Sequence, residues 1–232
     1  MIHVVALGFA VLFLWAYIAF RTRFVKILKD APRCMIKDFR ENEVVKIVGT
    51  LHYVGEPLVS PLTGRACAYY EIGIYKGGNA VSPGSLRMNE KILGVEFEID
   101  DGTGRVVVDP SIAVVCIVLD SHTSSGMLDD PTERQIAYLE AQKVKGRTWI
   151  GPKELTYREG ILEEGEIVAV MGTGSREVDP HASNQGARGY RDAPATRWRM
   201  QGHKKQCLVI SDKPETVGNL SEDLVGVADS PR

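Results

Sequence analysis

At 232 residues, with 44% hydrophobic and 25% charged residues, the chain is long enough for one large or two small folded domains with a real core. Its formal net charge is −2, which excludes a globally basic nucleic-acid binder and leaves any electrostatic partner to be met by a local patch. Cys34, Cys67, Cys116 and Cys207 stand far apart and five histidines are scattered, so the sequence carries no zinc-ligand spacing, and neither a metal nor a cofactor is expected.

Residues 1–20 carry no Asp, Glu, Lys or Arg, and Val4 to Phe20 is almost wholly apolar. About 20 residues of helix cross a hydrocarbon core, so a transmembrane helix over 1–20 is expected, with the lipid bilayer as its partner. A cleaved signal peptide fits less well, because the basic start and the small-residue cleavage site are missing. Residues 21–42 form a basic juxtamembrane segment, with five Lys or Arg against one Asp between Arg21 and Arg33. That asymmetry places the rest of the chain in the cytoplasm. The segment is either a plain flank or a short amphipathic helix with Phe24, Val25, Ile27 and Leu28 on its lipid side.

From Glu43 the pattern becomes β-rich. Expected strands are Val44–Val54, Ala66–Lys76, Ile92–Asp100, Arg105–Asp109 and Ala113–Leu119, with Asp101-Gly102-Thr103-Gly104 as a hairpin turn. Val95, Phe97 and Ile99 alternate with acidic residues, so they and Tyr69, Ile72, Val107, Val168 and Val170 are expected in the core. Such short strands without helical crossovers predict a mainly β domain over 43–212, a small antiparallel β-barrel or sandwich, with an OB-like barrel as one form. One helix is expected, capped by Asp130, opened by Pro131 and running to about Val144. After an acidic turn at Glu163-Glu164-Gly165, a strand runs from Glu166 to Met171 and Cys207–Asp212 returns. Residues 175–206 between them are too long for an ordinary hairpin connection and read as an insert. Residues 213–232 read as a flexible tail.

No nucleophile is paired with a base. Gly172-Thr173-Gly174-Ser175 reads as a hairpin turn rather than a phosphate loop, because no helix follows it. Asp100, Asp101 and Asp109 read as turn acceptors rather than a cation site. Cys67, Cys116 and Cys207 read as buried free thiols, and Cys34, beside Arg33, is the one with a basic flank. The candidate partner surface is Arg65 with Arg188, Arg191, Arg197, Trp198 and Arg199, where basic residues and an aromatic interleave. A protein partner is expected there, and no nucleic acid, since so few aromatics make a weak stacking platform.

Three stretches, SPLTGRACAYYEIGIYK (60–76), DDGTGRVVVDP (100–110) and REGILEEGEIVAVMGTG (158–174), carry a resemblance. Together they resemble the GIDE domain, found in membrane-anchored mitochondrial E3 ubiquitin ligases and in short prokaryotic membrane proteins. The resemblance implies a single-pass protein of a prokaryotic cell membrane with its C-terminal domain cytoplasmic. It also implies a link to ubiquitin transfer, directly or as an accessory of an enzyme complex. The chain departs from those ligases in lacking a second span and a zinc-binding RING, so the reading it supports is a non-catalytic binding or scaffold module.

Overall fold

The computed structural model describes residues 22–76, 86–125, 130–142, 147–148, 151–152, 155–180, 195–203 and 207–218. The expected membrane span, Arg188, Arg191 and the tail beyond residue 218 lie outside these. Among the described residues no helix is long and apolar enough to cross a membrane.

In chain order, helix α1 covers residues 22–30. The strands that follow are β1 (Val44–Tyr53), β2 (Leu58–Val59), β3 (Ala66–Cys67), β4 (Tyr69–Lys76), β5 (Leu86–Gly94), β6 (Phe97–Asp100), β7 (Arg105–Asp109), β8 (Ala113–Val115) and β9 (Ser121–Ser125). After helix α2 (Glu133–Ala141) come β10 (Arg147–Thr148), β11 (Gly151–Pro152), β12 (Leu155–Leu162), β13 (Ile167–Val178), β14 (Thr196–Gln201), β15 (Leu208–Ser211) and helix α3 (Pro214–Val217). The chain forms two compact units: the first comprises residues 1–50, 99–116 and 167–232, the second residues 51–98 and 117–166.

The first unit is built on a closed five-stranded barrel. Its ring runs β1-β6-β7-β14-β13 and closes by antiparallel pairing of β13 back to β1, with Val48 opposite Ala169. β14 lies parallel to β7, and β15 joins β13 while pairing in parallel with β8. The barrel is therefore not purely antiparallel, because β14 arrives beside β7 from far along the chain rather than through a hairpin. Alternation fixes the faces: Ile47, Val168 and Val170 are buried on one side, while Val48 and Ala169 turn to the other. There they meet Leu28 and Val209, with Phe24 packed alongside. Phe24 and Leu28 are four apart on α1 and share one face, so the basic segment is a helix seated on the barrel strands.

The second unit contains an antiparallel sheet in the order β5-β4-β12-β9. One face, with Tyr70, Ile72, Ile74, Leu155, Tyr157 and Ile161, is covered by Tyr138 and Leu139 of α2. α2 begins two residues later than the sequence suggests. Thr132, not Asp130, is the N-cap, and its hydroxyl and the Gln135 side chain exchange backbone hydrogen bonds in a capping box.

Two further expectations change. The run Ile92–Asp100 is two strands that break after Gly94, so Phe97 and Ile99 are buried while Val95 stays partly exposed. The expected insert, residues 175–206, is largely barrel at its ends. β13 continues to Val178, taking in Gly172–Ser175 as strand rather than turn, and β14 starts at Thr196. The Asp179 N–H donates to the Ala195 carbonyl at 2.8 Å and closes that hairpin.

Candidate functional site

In the second unit, two of the three signature stretches come together. Ser60 opens a tight loop, in which the Gly64 N–H donates to the Ser60 carbonyl at 2.9 Å. The Ser60 hydroxyl donates to Oε1 of Glu159 on β12, ninety-nine residues on. Both side chains are fully buried, and the second carboxylate oxygen, Glu159 Oε2, has no hydrogen-bond partner among the described residues. Thr63 Oγ1, in the same loop, is likewise buried and unpartnered. No sequence signal points to this pairing, since the two residues lie in different motifs, one in a loop and one on β12.

The acidic turn at 163–166 binds the rest of the loop. Arg65 forms a two-pronged ion pair with Glu163. Glu164 accepts from the Tyr53 N–H at 2.6 Å and bonds the His52 ring at 2.8 Å. The Tyr53 hydroxyl donates to the Ala66 carbonyl at 2.8 Å. Gly165 turns the chain at φ 87°, a left-handed conformation that glycine adopts without strain. Arg65 thus holds β12's exit turn, with its side chain still partly exposed.

Chemically this cluster is a clasp. A serine beside a carboxylate has the elements of nucleophile and base, but neither Ser60 nor Glu159 reaches solvent. Cys67, in the same cluster, is fully buried, and burial, with the charge of Glu159 beside it, pushes its thiol up to about 11. A thiol titrating there is almost wholly protonated near pH 7 and is a poor nucleophile. Cys34 is not activated by its basic flank. Burial, then Asp38, Glu43 and Asp101, raise its pKa. Cys207 departs from the expectation of a buried thiol: it precedes β15 and is exposed.

The barrel holds the described part of the basic array. Trp198 stacks on Phe39 with ring centroids 4.7 Å apart, and the Arg176 guanidinium lies 4.5 Å from the Trp198 ring centre. Gly174 makes room for Phe39, whose ring occupies the space a Cβ would take. On the opposite face of β14, Arg197 pairs with Glu177 at 2.7 Å and Arg199 with Asp109 at 3.1 Å. Burial works against the Asp109 charge, but hydrogen bonds from Ser111 and the Arg199 guanidinium outweigh it and hold the carboxyl below the usual carboxylate range. Arg197, Trp198 and Arg199 are therefore brought together, but as barrel cross-braces, and Arg65 belongs to the second unit. Asp100 and Asp101 act as turn acceptors: Asp101 Oδ1 receives the Thr103 N–H at 2.8 Å and Oδ2 the Ile36 N–H at 2.7 Å. Among the described residues no group of three or more His, Cys, Asp or Glu side chains is placed to hold a metal. No protein-family model, curated protein or solved structure matches the chain.

Proposed function

We propose that the chain is a membrane-anchored binding or scaffold protein without catalysis of its own, in the manner of short GIDE-domain proteins that lack a RING. The observation that carries this reading is the closed Ser60–Glu159–Cys67 cluster. The most distinctive part of the sequence folds into a buried clasp with a protonated thiol, which positions loops and offers no reacting group to a substrate.

The anchor rests on the apolar run Val4 to Phe20, which lies just before α1 in the sequence. Because Phe24 and Leu28 seat α1 on the barrel, a span ending at Phe20 would hold the first unit close to the bilayer, about one helical turn, roughly 6 Å, beyond its end. Arg23, Lys26 and Lys29 are exposed on α1 and suit anionic headgroups there.

The barrel order, read as strands 1-2-3-5-4 with strands 3 and 5 parallel, supports an OB-like form. OB-folds commonly bind oligonucleotides or oligosaccharides through one strand face and adjoining loops. Here Trp198 is already stacked and Arg197 and Arg199 are paired, which favours a protein partner over nucleic acid.

The test is fractionation of the full-length protein in cells, followed by photocrosslinking and mass spectrometry. Retention in the membrane through alkaline carbonate and a specific crosslinked protein are expected. Release by carbonate would remove the anchor. Ubiquitin chains made by the purified protein with activating and conjugating enzymes would overturn the non-catalytic reading.

A further inference from the structure

The face of the four-stranded sheet turned away from α2 is assembled by alternation, with a register shift between Ile74 and Tyr75 that brings Arg87 onto it. Tyr75 stands opposite Arg87 on one side and Thr156 on the other, and Gly73 stands opposite Glu90 and Arg158. Arg158 in turn stands opposite His122 of β9. All these side chains belong to the same face. Gly73 has no side chain, and the Tyr75 ring lies in that space, 2.8 Å from where a Cβ would be. The flattened ring brings two cations together. The Arg158 guanidinium is 5.6 Å and the Arg87 guanidinium 5.8 Å from its centre.

Arg158 is the informative residue. It sits in β12, paired on both sides by β4 and β9, so its backbone is held in place. Among the described residues its guanidinium finds the Tyr75 ring and no acceptor, and its Nε–H is out of water with no hydrogen bond. A desolvated, charged donor without an acceptor is unfavourable, and such donors are normally satisfied. Two carboxylates share this face, and neither is hydrogen-bonded to Arg158 among the described residues. Glu90 pairs with Arg87, and Glu71 stands two residues from Gly73 on β4, opposite Gly160.

We propose that this face is a phosphate-binding site, with Arg158 as the central group, Arg87 as a second guanidinium and the His122 ring as a further donor. Arginine forks match phosphate oxygens in pairs. A phosphate has oxygens enough to meet the Arg158 fork and also to reach His122 and, beside Glu90, the Arg87 guanidinium. The phosphate could be free or the headgroup of a lipid, and the site does not depend on whether the chain is membrane-anchored.

The test uses the full-length protein with two probes, inorganic phosphate and a short-chain phosphatidic acid, read by 31P line broadening and titration calorimetry. Saturable broadening of at least one probe is expected, and preference for the lipid probe identifies a headgroup site. Arg158→Gln should weaken binding about ten-fold or more, and Arg158→Lys, which keeps the charge but loses the fork, less. Far-UV circular dichroism checks folding. Should Arg158→Gln fail to fold, exposed His122→Ala and Arg87→Gln answer instead, each with weakened binding. No broadening in the wild type, or broadening that survives these substitutions, overturns the proposal.

Discussion

Replacing Ser60 by alanine is the sharpest test of the buried clasp. The substitution removes one hydroxyl, the only hydrogen bond described for the Glu159 carboxylate, whose other oxygen is already unpartnered. Both residues are fully buried, so water cannot take over without the loop opening. A hydrogen bond to a charged group contributes about 1.5–3 kcal/mol, and a buried charge stripped of its partner costs about 3–5 kcal/mol. Ser60→Ala should therefore destabilise by about 3 kcal/mol, or roughly 10 °C in Tm for a chain of this size. Glu159→Gln keeps an acceptor for Ser60 and removes the charge, so its loss should be smaller. With the charge gone, Ser60→Ala should then cost about 1 kcal/mol, which a double-mutant cycle in urea measures directly. If Ser60→Ala unfolds within about 0.5 kcal/mol of wild type, or costs the same in both backgrounds, the carboxylate is not held as described.

Thiol labelling near pH 7 should modify exposed Cys207 first and leave Cys67 protected until the protein unfolds, as mass spectrometry of the labelled peptides would reveal. Because the folded Cys67 thiol titrates near 11, above its unfolded value, its contribution to stability is complete below about pH 9 and lost as the pH rises towards 11; Cys67→Ala should flatten that part of a Tm–pH profile. Asp109 has the opposite sign. Its folded pKa is depressed, so its stabilisation is present above about pH 4 and lost as the pH falls further, and Asp109→Asn should lower Tm at neutral pH while flattening the acid limb. Replacing residues 181–194 by a short Gly-Ser link should preserve the barrel, since Asp179 and Ala195 already meet, whereas removing Arg176 to Lys205 takes out β14 and should yield insoluble protein.

The elements written in local pattern were legible from the sequence. Val44–Tyr53 is one strand as expected, the Asp101–Gly104 turn closes on its own aspartate, and the alternation around Phe97 and Ile99 places both in the interior. The boundaries failed where a weaker local signal was decided by a hydrogen bond. Asp130 and Thr132 are both good N-caps, and the reciprocal bond with Gln135 selects Thr132. The run 175–206 reads as an insert because it is too long and too polar for a hairpin connection, and Arg176, Arg197 and Arg199 are part of that polarity. They are strand residues all the same, because Glu177 and Asp109 neutralise two of them and Trp198 lies under the third.

The candidate site was less legible, for a physical reason. Its groups are joined by pairings between strands far apart in sequence: Ser60 with Glu159, Arg65 with Glu163, Tyr75 with Arg158. Single-chain periodicity reports which face a residue is on but not which strand lies beside it, so the motifs could be recognised as distinctive while their mutual contacts could not. The register of β4 against β12 supplies what was missing. It places Glu159 opposite Ile72 on the side that α2 covers and Arg158 opposite Gly73 on the other, so neighbouring residues of one strand project a buried carboxylate and an unsatisfied guanidinium to opposite faces. The carboxylate is held by Ser60 and serves the fold. Among the described residues the guanidinium has a ring for support and no acceptor for its Nε–H, and on that difference from the clasp the proposed phosphate site rests.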